Sequence, residues 1–305
     1  MSVGHGHGHG HGHGHAAGRH RWRLAVAFVL IGGFFLVELA YGLVSGSLAL
    51  LSDAGHMAAD VVTLGAALLA TRIAARPDTT GRRSYGSYRV EVFASLLAVI
   101  MMLGVALYVV LEAVGRIGET VTVASGPMLI VGALGLAVNI AALLLLRAGA
   151  AESLNVKGAY LEVVADTAGS AGVIVAGWLV AATGQPFWDT LVALAIGVFV
   201  AVRAISLGRT VFAVLGQHVP EGMDPAAVLA DLAAIEGVRD VHDLHLWTLT
   251  SGMNVATVHL VTDDDSDSHA VLDRARDLLL HRHGVAHATL QVEPADHRGC
   301  DEVGW

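Results

Sequence analysis

The sequence predicts an α-helical polytopic membrane protein with six transmembrane helices, followed by a cytoplasmic α+β domain of element order αββαβ. Three observations carry this reading. Hydrophobic residues make up 54% of the 305 and charged residues only 15%, with a mean hydropathy of +0.62, far from the balance of an ordinary soluble domain. Six apolar runs, at about 24–44, 47–74, 90–112, 128–147, 158–182 and 188–215, each reach the roughly 20 residues that a helix needs to span lipid. From about Gln217 the character reverses: 16 Asp and Glu face 5 Arg, a formal charge of −11 in a chain whose total is −9.

The elements follow in order. Residues 1–20 form a His-rich disordered tail, in which GHGHGHGHGHGH alternates six histidines with glycine. Such a stretch reads either as a flexible metal-binding segment or as a purification tag. Residues 21–216 hold the six spans. The Arg-rich start leads into a run of full spanning length and then a second, so it is not a cleaved signal. Orientation follows from the excess of basic residues in cytoplasmic loops. Arg19, Arg21, Arg23, Arg72, Arg76, Arg82, Arg83, Arg89, Arg147, Lys157, Arg203 and Arg209 fall on one side, and only Arg116 on the other. Both termini are therefore expected in the cytoplasm, with the chain multi-pass in a cell membrane. Residues 217–294 read as the αββαβ domain: a helix over DPAAVLADLAAI, strands VRDVHDLHLWTL and MNVATVHLVT meeting at TSG, a helix from Ser268 to His283, and a strand ATLQVEP. Residues 295–305 are a flexible tail holding Cys300. A lone cysteine excludes an intramolecular disulfide and fits a reducing compartment.

The chemistry concentrates in the second and fifth runs. Of 17 histidines, His56 alone lies between Arg21 and Gln217. His56 and Asp60 are four apart, as are Glu162 and Asp166, and that spacing stacks two side chains on one helix face. At about 1.5 Å per residue, His56 and Asp60 lie roughly 13 and 19 Å below the outer end of span two. Glu162 and Asp166 lie roughly 6 and 12 Å above the cytoplasmic end of span five, so the pairs can meet on antiparallel helices. An isolated charge at such depth costs about 2.5–3.5 kcal/mol, and neither span offers a central Lys or Arg as partner. A divalent cation is the simplest remedy, since one nitrogen and three oxygens make a tetrahedral shell suited to zinc. Gly55, Ala58, Ala59, Gly169, Ser170 and Gly172 are small enough to let the helices approach. Asp53 reads as a solvated carboxylate or a partner of the ligands. Glu38, Glu91, Glu112 and Asn139 read as packing or anchoring groups, with Asn139 nearest the pathway.

GSLALLSDAGHMAADVV, RRSYGSYRVEVFAS, AVNIAALLLL, KGAYLEVVADTAGS and VHDLHLWTLTSG, in that order, resemble the cation diffusion facilitator family, in particular its zinc-type bacterial exporters, over nearly the whole chain. The resemblance implies a bacterial inner-membrane homodimer, a metallochaperone-like cytoplasmic domain, and export of divalent metal in exchange for protons. Family zinc sites commonly pair His-xxx-Asp in span two with His-xxx-Asp in span five. Here Glu162 stands at the second histidine position, which leaves zinc first and cobalt, cadmium and nickel open. The resemblance also places His242, His259, His269 and Glu293 where the family has a binuclear cytoplasmic site. His245 is expected to face away from it, and Trp247 to pack in the core or a dimer contact. The loop RPDTTGRRSYGSYRVE has Arg83 and Ser87 where some relatives have histidines, so no metal is expected there. Its arginines read instead as partners for Asp263 to Asp267.

Proton coupling follows from the ligands, since three carboxylates side by side in a low dielectric cannot all keep their charge without metal. The expected partners are divalent metal, with Zn2+ first, protons, membrane lipid and a second copy of the chain, and no nucleic acid. No catalytic residues are expected, and the chain is not read as an enzyme. A membrane-embedded metallohydrolase would call for HExxH, which does not occur. The alternative is a membrane-bound metal sensor or receptor that binds without transport.

Overall fold

The computed structural model describes residues 14–73, 85, 89–117, 121–150, 154–250, 252–263 and 265–296, and within these the side chains other than 14–24, 27, 63, 64, 66–73, 148–150, 154–159, 161 and 162. The His-rich repeat, the loop with Arg83 and Ser87, Asp264 and Cys300 lie outside the described residues or side chains.

Six long helices come first: α1 (Gly14–Ser45), α2 (Leu48–Ile73), α3 (Val90–Gly115), α4 (Ser125–Ala150), α5 (Leu154–Thr183) and α6 (Phe187–Leu215). The shortest have 26 residues, about 39 Å of helix, more than a bilayer core requires. Among the described residues five are apolar enough to cross a membrane: α1 over Phe28–Ser45, α3 over Val90–Gly115, α4 over Ser125–Arg147, α5 over Val163–Thr183 and α6 over Phe187–Leu215. The expected span over 47–74 is the helix α2, which is long enough but not among these five. Ser52, Asp53, His56 and Asp60 interrupt the stretch of α2 whose side chains are described. Large apolar side chains such as Leu36, Phe93, Leu107, Leu144, Trp178 and Phe212 stand exposed, as lipid-facing residues do.

The chain divides into two compact units. The first comprises α1, α2, α4, α5 and the parts of α3 and α6 within Ala94–Ser206. In it α4 packs on α5, α1 packs on α2 and α4, and α2 packs on α5. Close approach depends on absent side chains. A Cβ on Gly135 of α4 would lie 2.7 Å from the Phe34 ring and 2.9 Å from Ser170 Oγ, so α1, α4 and α5 meet there only because that residue is glycine.

The start of α2 is held from another helix. Asp189, in the first turn of α6 and fully buried, accepts hydrogen bonds from Ser47 Oγ (2.6 Å) and from the backbone N–H groups of Leu48 (2.8 Å) and Ala49 (3.1 Å). It thereby satisfies N–H groups that have no partner inside their own helix, and its charge faces the positive end of the α2 dipole. Arg116, read from sequence as the lone basic residue of the outer loops, completes the cluster. Its Nη1 lies 3.3 Å from Asp189 Oδ2, its Nη2 donates to Gly46 O at 3.0 Å, and its Nε lies 3.3 Å from Glu112 Oε1.

The second unit begins at Leu207 and also takes in the first turn of α3 to Phe93. Its elements are α7 (Pro225–Ala233), β1 (Val238–Thr250), β2 (Met253–Thr262), α8 (Ser268–His283) and β3 (Val285–Pro294), which is the expected αββαβ order. The strands form one sheet in the order β1-β2-β3, antiparallel between β1 and β2 and parallel between β2 and β3, with α8 as the crossover that a parallel pair requires. Asp224 caps α7 ahead of Pro225, and Asp267 caps α8, accepting from the N–H groups of His269 and Ala270. Gly284 ends α8 in the left-handed conformation at φ 66°, where a glycine carries no Cβ penalty. Alternation along β2 sends Val258 and Leu260 into a core with Val228, Leu232, Val271, Ala275 and Leu279, leaving Thr257 and His259 on the opposite face.

Candidate metal centre

In the first unit, side chains from four helices converge. α2 carries Asp53, His56 and Asp60, α5 carries Asp166, α4 carries Asn139 and α6 carries Arg203. His56 Nε2 lies 3.5 Å from Asp60 Oδ2 and 3.1 Å from Asp166 Oδ1. One ligand atom from each of these three residues falls within 4.8 Å of the others, close enough to share one ion. His56 and Asp166 are each only 2% exposed. Asp166 Oδ1 has no hydrogen-bond partner among the described residues. Buried polar atoms without partners are costly, and oriented donor oxygens of this kind suit a cation.

The surrounding groups hold this cluster in place. Asp53 is 2% exposed and lies against α5, where a Cβ on Gly169 would stand 2.5 Å from its Oδ1. It is therefore a buried neighbour of the ligands, and the solvated alternative does not hold. Glu38 of α1, 1% exposed, acts electrostatically on Asp53. Asn139 Nδ2 donates to Ser170 Oγ at 3.2 Å, one helical turn from Asp166. Glu112 and Glu91 bond elsewhere, Glu112 to Arg116 and Glu91 to Thr250 Oγ1. Glu162 precedes Asp166 by one turn of α5, and its side chain lies outside those described.

Arg203 is the residue that the sequence reading missed. It was counted among the cytoplasmic basic residues, yet it sits on α6 12 residues before Leu215, about 18 Å along the helix. Its Nη1 lies 2.7 Å from His56 Nε2. The signal available in sequence was an arginine well inside an apolar run, which by itself marks a functional position.

In the second unit, the register of β1 on β2 sets His242 opposite His259, with ring centroids 5.2 Å apart. Glu293 of β3 is 4% exposed and reaches both: its Oε1 is 3.0 Å from His259 Nδ1 and its Oε2 is 3.7 Å from His242 Nε2. These three form a second group that could hold a metal ion. His242 Nε2 is buried without a hydrogen-bond partner, so the donor set suits a cation. His269 is exposed at the start of α8 and is not part of this group. Asp243 is an addition: at a bulge in β1, with φ 53°, it lies 3.7 Å from His259 Nε2 and 2.9 Å from His245 Nε2. Trp247 is half-buried. His283, in the last turn of α8, lies 2.9 Å from Asp231 Oδ2 and ties α8 to α7.

A family model described as the cation efflux transmembrane domain matches residues 24–215, and one described as the cation efflux protein, cytoplasmic domain, matches residues 220–295. The metal cation efflux system protein CzcD of Cupriavidus metallidurans is 39% identical over 279 residues, which cover 91% of this chain and 88% of that protein. The cadmium, cobalt and zinc/H(+)-K(+) antiporter of Bacillus subtilis is 32% identical, covering 92% of this chain and 91% of the relative. The zinc transporter ZitB of Escherichia coli is 33% identical, with coverages of 92% and 89%.

Proposed function

Because the chain belongs to the cation diffusion facilitator, or cation efflux, family of divalent-metal efflux proteins, we propose that it exports Zn2+ from the cytoplasm in exchange for protons, around a site in the membrane made by His56, Asp60, Glu162 and Asp166. The observation that carries this reading is the convergence of His56, Asp60 and Asp166 from α2 and α5 inside an apolar helical unit. Glu162, one turn from Asp166, takes the fourth ligand position. Nitrogen and oxygen donors without thiolate favour a metal that binds and leaves over one held permanently. The relatives' names add support, one being a zinc transporter and another an antiporter of cadmium, cobalt and zinc against H(+) and K(+). In this reading α2 is one of six spans, both termini are cytoplasmic, and two chains pair through the 217–294 domain; α1 begins at Gly14, so the stretch 1–20 expected as a tail is helical from there on.

Protons complete the cycle through the same atoms. Metal binding requires the ligands to be deprotonated, so loading expels protons and reprotonation aids release. Moving a +2 ion outward against 100 mV costs about 4.6 kcal/mol, and exchange for two protons cancels that electrical cost. In the second unit, His242, His259 and Glu293, with His269 or Asp243 alongside, would hold a regulatory ion that offsets the acidic charge of the domain.

In sealed vesicles containing the purified protein, a Zn2+ gradient should drive proton movement, and His56→Ala or Asp166→Ala should each reduce it to the protein-free background. Normal flux in either variant would refute the assignment. Measuring Zn2+ trapped in the lumen separates a carrier from a receptor, which binds without accumulating.

A further inference from the structure

We propose that Arg203 is a built-in counter-cation of the membrane site, competing with the transported metal for His56. The inference rests on the site reading above and adds a residue from a third helix. A guanidinium has N–H donors and no acceptor, and it stays charged under all ordinary conditions. The 2.7 Å contact between Arg203 Nη1 and His56 Nε2 is therefore a hydrogen bond in one direction only, donated by arginine to the imidazole lone pair. With the ring proton on Nδ1, Nε2 accepts from Arg203; with the proton on Nε2, the same nitrogen donates to Asp166 Oδ1 at 3.1 Å, so Arg203 and the carboxylate already compete for this atom. The same lone pair points toward Asp60 and Asp166 and is the one a metal would take. One lone pair cannot serve both, so metal coordination at His56 displaces Arg203.

The surroundings support a defined position for the guanidinium. Phe199, one turn earlier on α6, lies under it, with Arg203 Cζ 5.9 Å from the ring centroid. The same ring meets His56 edge-on at 6.4 Å. The charge of Arg203 also acts on Asp60. The side chain thus does three things. It offsets part of the carboxylate charge between transport cycles. It occupies the face of His56 Nε2 that a metal would take. It lowers metal affinity, so that release on the far side is not trapped behind an overly tight site.

The test is Zn2+ affinity, measured by competition against a fluorescent chelator with the full chain in lipid nanodiscs. The membrane site is defined as the binding that Asp166→Ala removes. Arg203→Met should bind Zn2+ at this site at least 10-fold more tightly than the parent, while its turnover in vesicles falls. Arg203→Lys keeps the charge without the fork and should lie between. Should Arg203→Met fail to give monodisperse protein, Arg203→Gln carries the same expectation. A merely structural arginine predicts unchanged or weaker binding, and that result overturns the proposal while leaving the site intact. If Asp166→Ala removes no binding, the site reading itself fails, and the role of Arg203 fails with it.

Discussion

Replacing an imidazole with a carboxylate changes what a tetrahedral site selects. In the proposed site Glu162 supplies an oxygen as the second ligand of α5, and three oxygens with one nitrogen discriminate less sharply among zinc, cobalt, cadmium and manganese than two nitrogens would. Glu162→His is therefore expected to shift transport toward Zn2+, raising the ratio of Zn2+ to Mn2+ or Cd2+ uptake several-fold in a competition series. An unchanged ratio would place Glu162 outside the shell. The grouping of His56, Asp60 and Asp166 was legible in sequence, because His56 is the lone histidine between Arg21 and Gln217 and both i, i+4 pairs keep the four-residue helical period. Arg203 was not, since a positive residue near a span counts toward topology and its partner is 147 positions away. Only helix packing reveals that contact. His269 is set apart from the strand histidines in this structure, because a residue in the first turn of α8 is directed by the cap at Asp267 and not by strand register.

At the scale of elements, α2 is an apolar helix that carries Asp53, His56 and Asp60 in its interior, and specific contacts at its start help to hold it. Asp189 supplies them by accepting from Ser47 Oγ and two backbone N–H groups while pairing with Arg116. Asp189→Ala leaves those donors without their acceptor and takes from the largely buried Arg116 its buried carboxylate partner, a loss on the order of 3–5 kcal/mol for a buried pair. The expected readouts are a clear drop in thermal midpoint in detergent and weaker Zn2+ binding, because His56 and Asp60 ride on the same helix. Asp189→Asn keeps one acceptor oxygen and should recover part of the loss. Equal stability in wild type and Asp189→Ala would show that α2 is held by packing alone. Hydropathy located all six helices to within a few residues of their cores, but α5 begins at Leu154, ahead of the apolar run, because polar end turns carry no hydrophobic signal. β3 likewise begins at Val285, three residues before the run read as a strand, since its parallel register on β2 extends back to Asn254.

At the scale of the whole chain, the two metal-capable groups among the described residues sit in two separate compact units, and their donor sets differ in a way that predicts different duties. The membrane group combines one imidazole with aspartates at the meeting of helices, a setting able to rearrange as helices move. The other hangs on neighbouring strands of one sheet, with His242 and His259 locked opposite each other by register and Glu293 bridging them. Strand pairing keeps those three groups fixed, which suits holding an ion more than passing it on. The acidic character of residues 217 onward makes such binding favourable twice over, through coordination and through relief of like-charge repulsion. In the full-length protein, His259→Ala should thus lower the number of Zn2+ bound per chain without abolishing zinc-driven proton flux at saturating metal. The Zn2+ concentration giving half-maximal flux should rise by several-fold if the strand site senses metal and favours the active state. Unchanged stoichiometry would remove the second site, whereas complete loss of flux at saturating Zn2+ would mean that the strand histidines belong to the transport path itself.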